Sequence, residues 1–371
     1  MASPTLESFC GFLNVSQNQS GISDIQKNDN IFKAYNIVCI ISSVLSIAGA
    51  LIQVLGTSHS AAPSQTGQPR NRRTAFETVS GKTQKTIISA LAVADVLACF
   101  GILFRSALWL GDRDLITGHL ENPAAHFDNV FCAVCSAWIH FFFLCTYFWT
   151  FSYAIDVYLV VRKINPKPWL YHLLSWGLSL ILAFGGILPL YTPFLLKCKY
   201  NEGYLLPHYL TTYIPILFVM IINPVLYFLS ARAIKGLITS ARATFTDLER
   251  KFISKIKDRF TLVTAVFYVC WLPNIINGIL LFIHHHFGSD TSIAESKDGW
   301  YGVFLAVWFI MAIVNPLQAL LNSLVYRGCD ACHCTRAPEI DATTRCENSF
   351  HYFSASNDEN APLLHYSSSK H

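Results

Sequence analysis

Seven stretches of mostly apolar residues recur along this chain, at 34–55, 86–109, 130–161, 170–192, 208–232, 259–284 and 300–326. Each is long enough to cross a bilayer, since a hydrocarbon core about 30 Å thick takes roughly 20 helical residues. In lipid every backbone N–H and C=O must find its partner within the segment. The spacing therefore predicts an all-α membrane protein built as a seven-transmembrane-helix bundle. It divides into a lumenal or extracellular tail (1–33), the bundle (34–326) and a cytosolic tail (327–371). Composition agrees: 53% of the 371 residues are hydrophobic and only 13% charged, against about 25% charged in soluble domains.

The basic residues set the orientation. Arg70, Arg72, Arg73, Lys82 and Lys85 lie between the first two spans, Arg162, Lys163 and Lys167 between the third and fourth. Arg232, Lys235, Arg242, Arg250, Lys251, Lys255, Lys257 and Arg259 lie between the fifth and sixth. The opposite loops hold only Arg113, Lys197, Lys199 and Lys297. The basic loops are expected in the cytosol, with the N-terminus lumenal. The first 30 residues are polar, so no cleavable signal peptide is expected and the first span serves as anchor. Two acceptor tripeptides, at Asn14 and Asn18, fit N-glycosylation of a lumenal tail. At the other end, Glu359 leads Leu363-Leu364 as in the cytosolic signals that clathrin adaptors read. The loop 56–85 contains Ser, Thr, Gly and Pro and reads as flexible, with a basic end near anionic lipid.

Five of the twelve cysteines, Cys39, Cys99, Cys135, Cys145 and Cys270, lie inside spans and read as small apolar residues. Cys132, at the start of the third span, and Cys198, after the fourth, sit at the lumenal boundary, where a disulfide can form. Cys329, Cys332 and Cys334 follow the last span and are palmitoylation candidates. Four neighbouring residues including His333 make a poor metal tetrahedron, so no metal and no cofactor is expected.

Polar groups inside the spans are costly and mark function. Asp95 lies mid-span and should face the interior, with Asn315, beside Pro316, as its expected partner. Pro224, Pro273 and Pro316 supply kinks in the last three spans, about which cytosolic ends can swing. Asp156 ends the third span in Asp156-Val157-Tyr158. Many receptors carry an arginine at the position of Val157, so the usual ionic latch is absent. Asp156 is expected either to pair with Lys257 or Arg259 or to sit solvated at the interface. Trp138, Tyr147, His208 and Trp271 are ligand-binding candidates from depth and aromatic character, against plain core packing. His284-His285-His286, with His119, His126 and His208, suggests either an exposed loop edge or sensing of lumenal acid.

Several blocks resemble the ocular albinism type 1 receptor family. They are Met1-Ala2-Ser3-Pro4, Arg105-Ser106-Ala107-Leu108-Trp109-Leu110-Gly111, Phe131-Cys132, Ser152-Tyr153-Ala154-Ile155-Asp156-Val157-Tyr158-Leu159-Val160 and Pro207-His208-Tyr209. Two more are Cys270-Trp271-Leu272-Pro273-Asn274-Ile275-Ile276-Asn277 and the run from Trp308 to Pro316. The likeness runs from residue 85 to residue 326; the N-terminal region, first loop and tail match poorly. It implies an atypical G-protein-coupled receptor of melanosomes, late endosomes and lysosomes, coupled to heterotrimeric G proteins. It also implies a role in melanosome biogenesis, with L-DOPA or a related tyrosine metabolite as ligand and with arrestin and clathrin adaptors as further partners. The family's dileucine in the third cytosolic loop is matched only by Leu237-Ile238, with Ala233 where the acidic lead would stand.

The competing function is a small-solute or proton-coupled transporter, but no internal repeat is present and Asp95 is the clear carboxylate deep in a span. Paired aspartates, a His-Glu-x-x-His motif and a serine nucleophile elbow are absent from the sequence, so no enzyme is expected. Nothing suggests nucleic acid.

Overall fold

The computed structural model describes residues 29–59, 72–111, 126–162, 164, 167–191, 202–240, 247–287 and 297–335. Helices run over Asp29–His59, Arg72–Gly111, His126–Val161, Pro168–His172, Ser179–Tyr191, Glu202–Ser240, Asp247–Phe287, Lys297–Val314 and Gln318–Thr335, with a π-helical stretch at Leu173–Leu178. Six spans are continuous: Asn30–Ile52, Lys82–Gly111, Val134–Val161, Pro168–Pro189, Leu206–Ala233 and Asp258–Ile283. The seventh is a broken pair, Gly302–Val314 and Gln318–Tyr326, bent by 46°. Pro316 causes the break: it has no N–H to donate, and the backbone passes through a turn at 315–317 before helix resumes.

The third span is the axle of the bundle. Buried residues make up 72% of its most apolar window, against 28% in the fourth and sixth spans, so neighbours surround it. The fourth, fifth and sixth spans turn Ile181, Phe184, Ile221, Phe228 and Phe282 outward, each at least 60% exposed. Lipid makes that arrangement favourable, because hydrocarbon is as apolar as the core. Where backbones come close, a small residue allows it. A Cβ on Gly49 would lie 3.0 Å from the Cα of Leu320, so glycine lets the first and seventh spans touch.

Two expectations need correction. Residues 72–85 are not irregular loop; helix begins at Arg72, well before the apolar run, because no proline interrupts it and its backbone bonds persist outside lipid. The last helix likewise continues past 326 to Thr335. The π-helical turn of the fourth span leaves no trace in hydropathy. There Ser179 Oγ donates to the carbonyl of Ser175 at 2.6 Å, and Ser175 Oγ meets Ser152 Oγ at 3.0 Å across to the third span.

Candidate functional site

A band of paired polar side chains crosses the middle of the bundle. Asp95 is 4% exposed. Its Oδ1 accepts from Thr146 Oγ1 at 2.8 Å, and its Oδ2 from Asn322 Nδ2 at 3.4 Å. Asn315 therefore does not serve Asp95 as expected; it exchanges two amide bonds with Asn274 of the sixth span, at 2.9 and 3.2 Å. The break at Pro316 is the physical reason. It redirects the helix so that Asn315 faces the sixth span while Asn322, beyond the bend, faces the second. Cys99 Sγ donates to the carbonyl of Pro316 at 3.3 Å, which ties the second span to the bend itself.

Trp271 joins this band to a second region. Its Nε1 donates to Gln318 Oε1 at 2.7 Å, two residues past the bend-making proline. Its ring lies edge-on to Tyr147 and Phe143, with centroids at 4.5 and 4.9 Å. Tyr147 also meets Phe267 edge-on at 5.9 Å. Nearly two turns further along the sixth span, Asn277 Oδ1 accepts from Trp308 Nε1 at 3.0 Å.

The second region lies between the third, fifth and sixth spans. His140 and Tyr147 are seven residues apart, so they share a face of the third span. His140 faces His208 of the fifth span with ring centroids 5.4 Å apart, and both are fully buried. Thr212 sits one turn beyond His208. Tyr213 lies against the sixth span because Gly278 has no side chain: a Cβ there would stand 2.6 Å from the phenol ring. The hydroxyls of Tyr147 and Thr212 are buried without a hydrogen-bond partner among the described residues. Three of the four ligand-binding candidates, Tyr147, His208 and Trp271, thus belong to this region. Trp138 does not. It is 40% exposed, and its indole donates to the carbonyl of Leu97 at 2.8 Å, between the second and third spans. His208 is likewise no surface sensor, being enclosed by the bundle.

Among the described residues, Asp156 is neither solvated nor latched to the sixth span. It is fully buried, and its Oδ1 accepts from Tyr171 Oη at 3.2 Å. Its carboxylate also lies within reach of the half-buried Gln84 amide. Arg259 instead reaches the seventh span, where Nη2 donates to the carbonyl of Tyr326 at 3.4 Å. The Lys257 side chain lies outside the described residues. So do Asn14, Asn18, Cys198, Glu359, Leu363 and Leu364, and the side chains of Cys132, Cys329, Cys332, Cys334, His126 and His284 to His286. Cys39, Cys99, Cys135, Cys145 and Cys270 are buried and form no disulfide among the described residues.

Comparison with known proteins places this architecture. The family model described as ocular albinism type 1 protein matches residues 1–369. The chain belongs to that family. It is 32% identical over 335 residues to human G-protein coupled receptor 143, covering 90% of this chain and 78% of the human protein. Cyclic AMP receptor-like protein C of Dictyostelium discoideum is 24% identical over 288 residues, 75% of this chain and 68% of its own length. Cyclic AMP receptor-like protein E of the same organism is 24% identical over 225 residues, 54% of this chain and 68% of its own. This member of the family is therefore a multi-pass membrane protein of the G-protein-coupled receptor class, and not an enzyme.

Sequence reasoning missed His140, Tyr213, Thr146, Gln318 and Asn322 in this family member. Depth alone carried a usable signal: each is a polar or titratable side chain within an apolar span, the same criterion that singled out Asp95. Arg105, with Nη1 buried in the half of the second span remote from its basic end, carries the same signal.

Proposed function

We propose that this receptor binds a small aromatic ligand among the third, fifth and sixth spans and passes the event to a heterotrimeric G protein. The observation that carries the proposal is the double engagement of Trp271. Its ring packs on Tyr147, whose hydroxyl is unpaired, while its N–H holds Gln318 just past the bend of the seventh span. A ligand that hydrogen-bonds Tyr147 and displaces its ring must move Trp271, and with it either the Pro273 kink or the Pro316 bend. Ligand binding then favours whichever bundle state offers it more contacts.

The ligand class is an aromatic amino acid metabolite such as L-DOPA. A catechol can both donate to and accept from the hydroxyls and imidazoles of this region, and its ring suits the edge-on faces of Trp271 and Phe143. Each neutral imidazole, on His140 and on His208, carries one N–H that can donate to a carboxylate. The basic cytosolic loop between the fifth and sixth spans is the G-protein surface. Residence in melanosomes, late endosomes or lysosomes, with the N-terminus lumenal, follows from the family and from the tail signal at Glu359, Leu363 and Leu364, which brings in clathrin adaptors. Arrestin is a further partner of the activated state. The Cys132–Cys198 bridge, glycans at Asn14 and Asn18, and acyl groups on Cys329, Cys332 or Cys334 complete the reading.

The test is G-protein dissociation by energy transfer in cells expressing Leu363→Ala/Leu364→Ala, which should hold more receptor at the surface. Dose-dependent dissociation with L-DOPA and none with its D-enantiomer is the expected result. Confirmed surface receptor with neither basal nor ligand-driven signal would overturn the ligand assignment and direct attention to other ligands, then to transport.

A further inference from the structure

A groove of about 490 Å³ runs down the outside of the bundle between the second and fourth spans, lined by Lys82, Lys85, Thr86, Ser89, Ala90, Val93, His172 and Trp176. Its chemistry is graded. Lys82 opens the second span, and Lys85 and His172 lie three and four residues inside their spans, all three exposed. Thr86 and Ser89 come next. Ala90, Val93 and Trp176 form the deeper end, with Val93 46% exposed. From Lys82 to Val93 the helix rises about 16 Å, which spans a headgroup and the upper part of an acyl chain. The wall on the fourth span is the π-helical stretch Leu173–Leu178. Such turns are uncommon in helices and are frequent at functional sites. The floor is rigid: Trp149 of the third span lies edge-on to both His172 and Trp176, at 5.0 and 6.0 Å.

We propose that this groove is a binding site for one anionic phospholipid. Its phosphate and headgroup meet Lys82, Lys85 and His172, the hydroxyl of Ser89 meets its glycerol ester region, and its acyl chain lies along Val93 and Trp176. Charge complementarity at one end and an apolar trough at the other fit an amphiphile and not a free phosphate, which would leave the deeper half uncovered. The membrane orientation proposed above makes the source the cytosolic leaflet, which is rich in anionic lipid. The site itself stands whether or not the receptor couples to a G protein.

Native mass spectrometry of the full-length receptor, released from micelles doped with equal phosphatidylserine and phosphatidylcholine, reads the site without any signalling step. Wild type should retain one phosphatidylserine in preference to phosphatidylcholine. Lys82→Gln and Lys85→Gln should each reduce that preference about fivefold, the factor carried by one basic residue at an anionic surface. Val93→Trp, which fills the trough without touching charge, should reduce retention of phosphatidylserine itself. Arg232→Gln, at the basic end of the fifth span and away from the groove, should change neither. Glycerophosphoserine added in excess should not displace the lipid. Equal retention of both lipids, a loss with Arg232→Gln as large as with Lys85→Gln, full retention in Val93→Trp, or displacement by the soluble headgroup would each overturn the proposal.

Discussion

The mid-membrane band and the region among the third, fifth and sixth spans are built from similar residues and finished differently. In the band, Asp95 with Thr146 and Asn322, Asn274 with Asn315, and Trp271 with Gln318 are paired by hydrogen bonds of 2.7 to 3.4 Å. In the second region, the buried hydroxyls of Tyr147 and Thr212 have no such bond. An unmade bond in a low-dielectric interior costs about 1–3 kcal/mol. The band is therefore framework, and the second region holds hydrogen-bonding capacity in reserve for something else. A receptor needs both: a framework with two discrete arrangements and a place where a ligand can bias them.

The largest effect should come where the two regions share a residue. Trp271→Ala removes a fully buried indole, and its cost should be about 3–5 kcal/mol, read as a fall in the thermal midpoint of purified receptor. Trp271→Phe keeps the ring on Tyr147 but strands Gln318, so it should cost less and still lower basal signalling. Equal stability of the two variants would mean that the hydrogen bond to Gln318, not ring packing, dominates at this junction.

Next come the pairs within the band. Asn274→Ala leaves the Asn315 amide buried without its reciprocal partner, and the expected loss is about 1–3 kcal/mol. Measured couplings in membrane proteins average only about 0.6 kcal/mol, so the double variant Asn274→Ala/Asn315→Ala should cost clearly less than the sum of the single ones. Strict additivity would show that the two amides are not energetically joined, and the framework reading of this pair would fall. Thr146→Val, which removes the shorter of Asp95's two bonds, should cost about 1–3 kcal/mol for the same reason.

How far these regions can be read from sequence differs by the kind of information each needs. Span number and the interior placement of Asp95 follow from transfer energetics, which act on each residue separately. Pairings do not. Asp95 and Asn315 both belong to the core, but which amide meets the carboxylate depends on how the bend at Pro316 rotates the last helix. Trp138 shows a second limit. In water an exposed face is polar, yet here lipid and core are both apolar, so periodicity cannot separate an outward tryptophan from an inward one. His140 is legible on the same argument as Asp95, although the aromatic run around it reads first as packing. The π-helical turn was not legible, since it rests on contacts between Ser152, Ser175 and Ser179.

The smallest expected change in stability is also the sharpest test of the comparison. Tyr147→Phe removes a hydroxyl that has no partner and leaves the ring on Trp271 and Phe267 in place. Its effect on the thermal midpoint should correspond to within about 0.5 kcal/mol of wild type, or slightly above it, since a buried polar atom without a bond is gone. If the second region is framework like the first, the variant should be destabilised as Asn274→Ala is, and its ligand response should track that loss. If it holds bonds in reserve for a ligand, stability and response separate: the folded receptor is unchanged while the concentration of L-DOPA needed for half-maximal G-protein dissociation rises about fivefold to tenfold, the equivalent of one hydrogen bond worth about 1–1.5 kcal/mol. A stable Tyr147→Phe receptor with an unshifted response would move the ligand away from Tyr147 and leave the unpaired hydroxyl as a feature of the free protein alone.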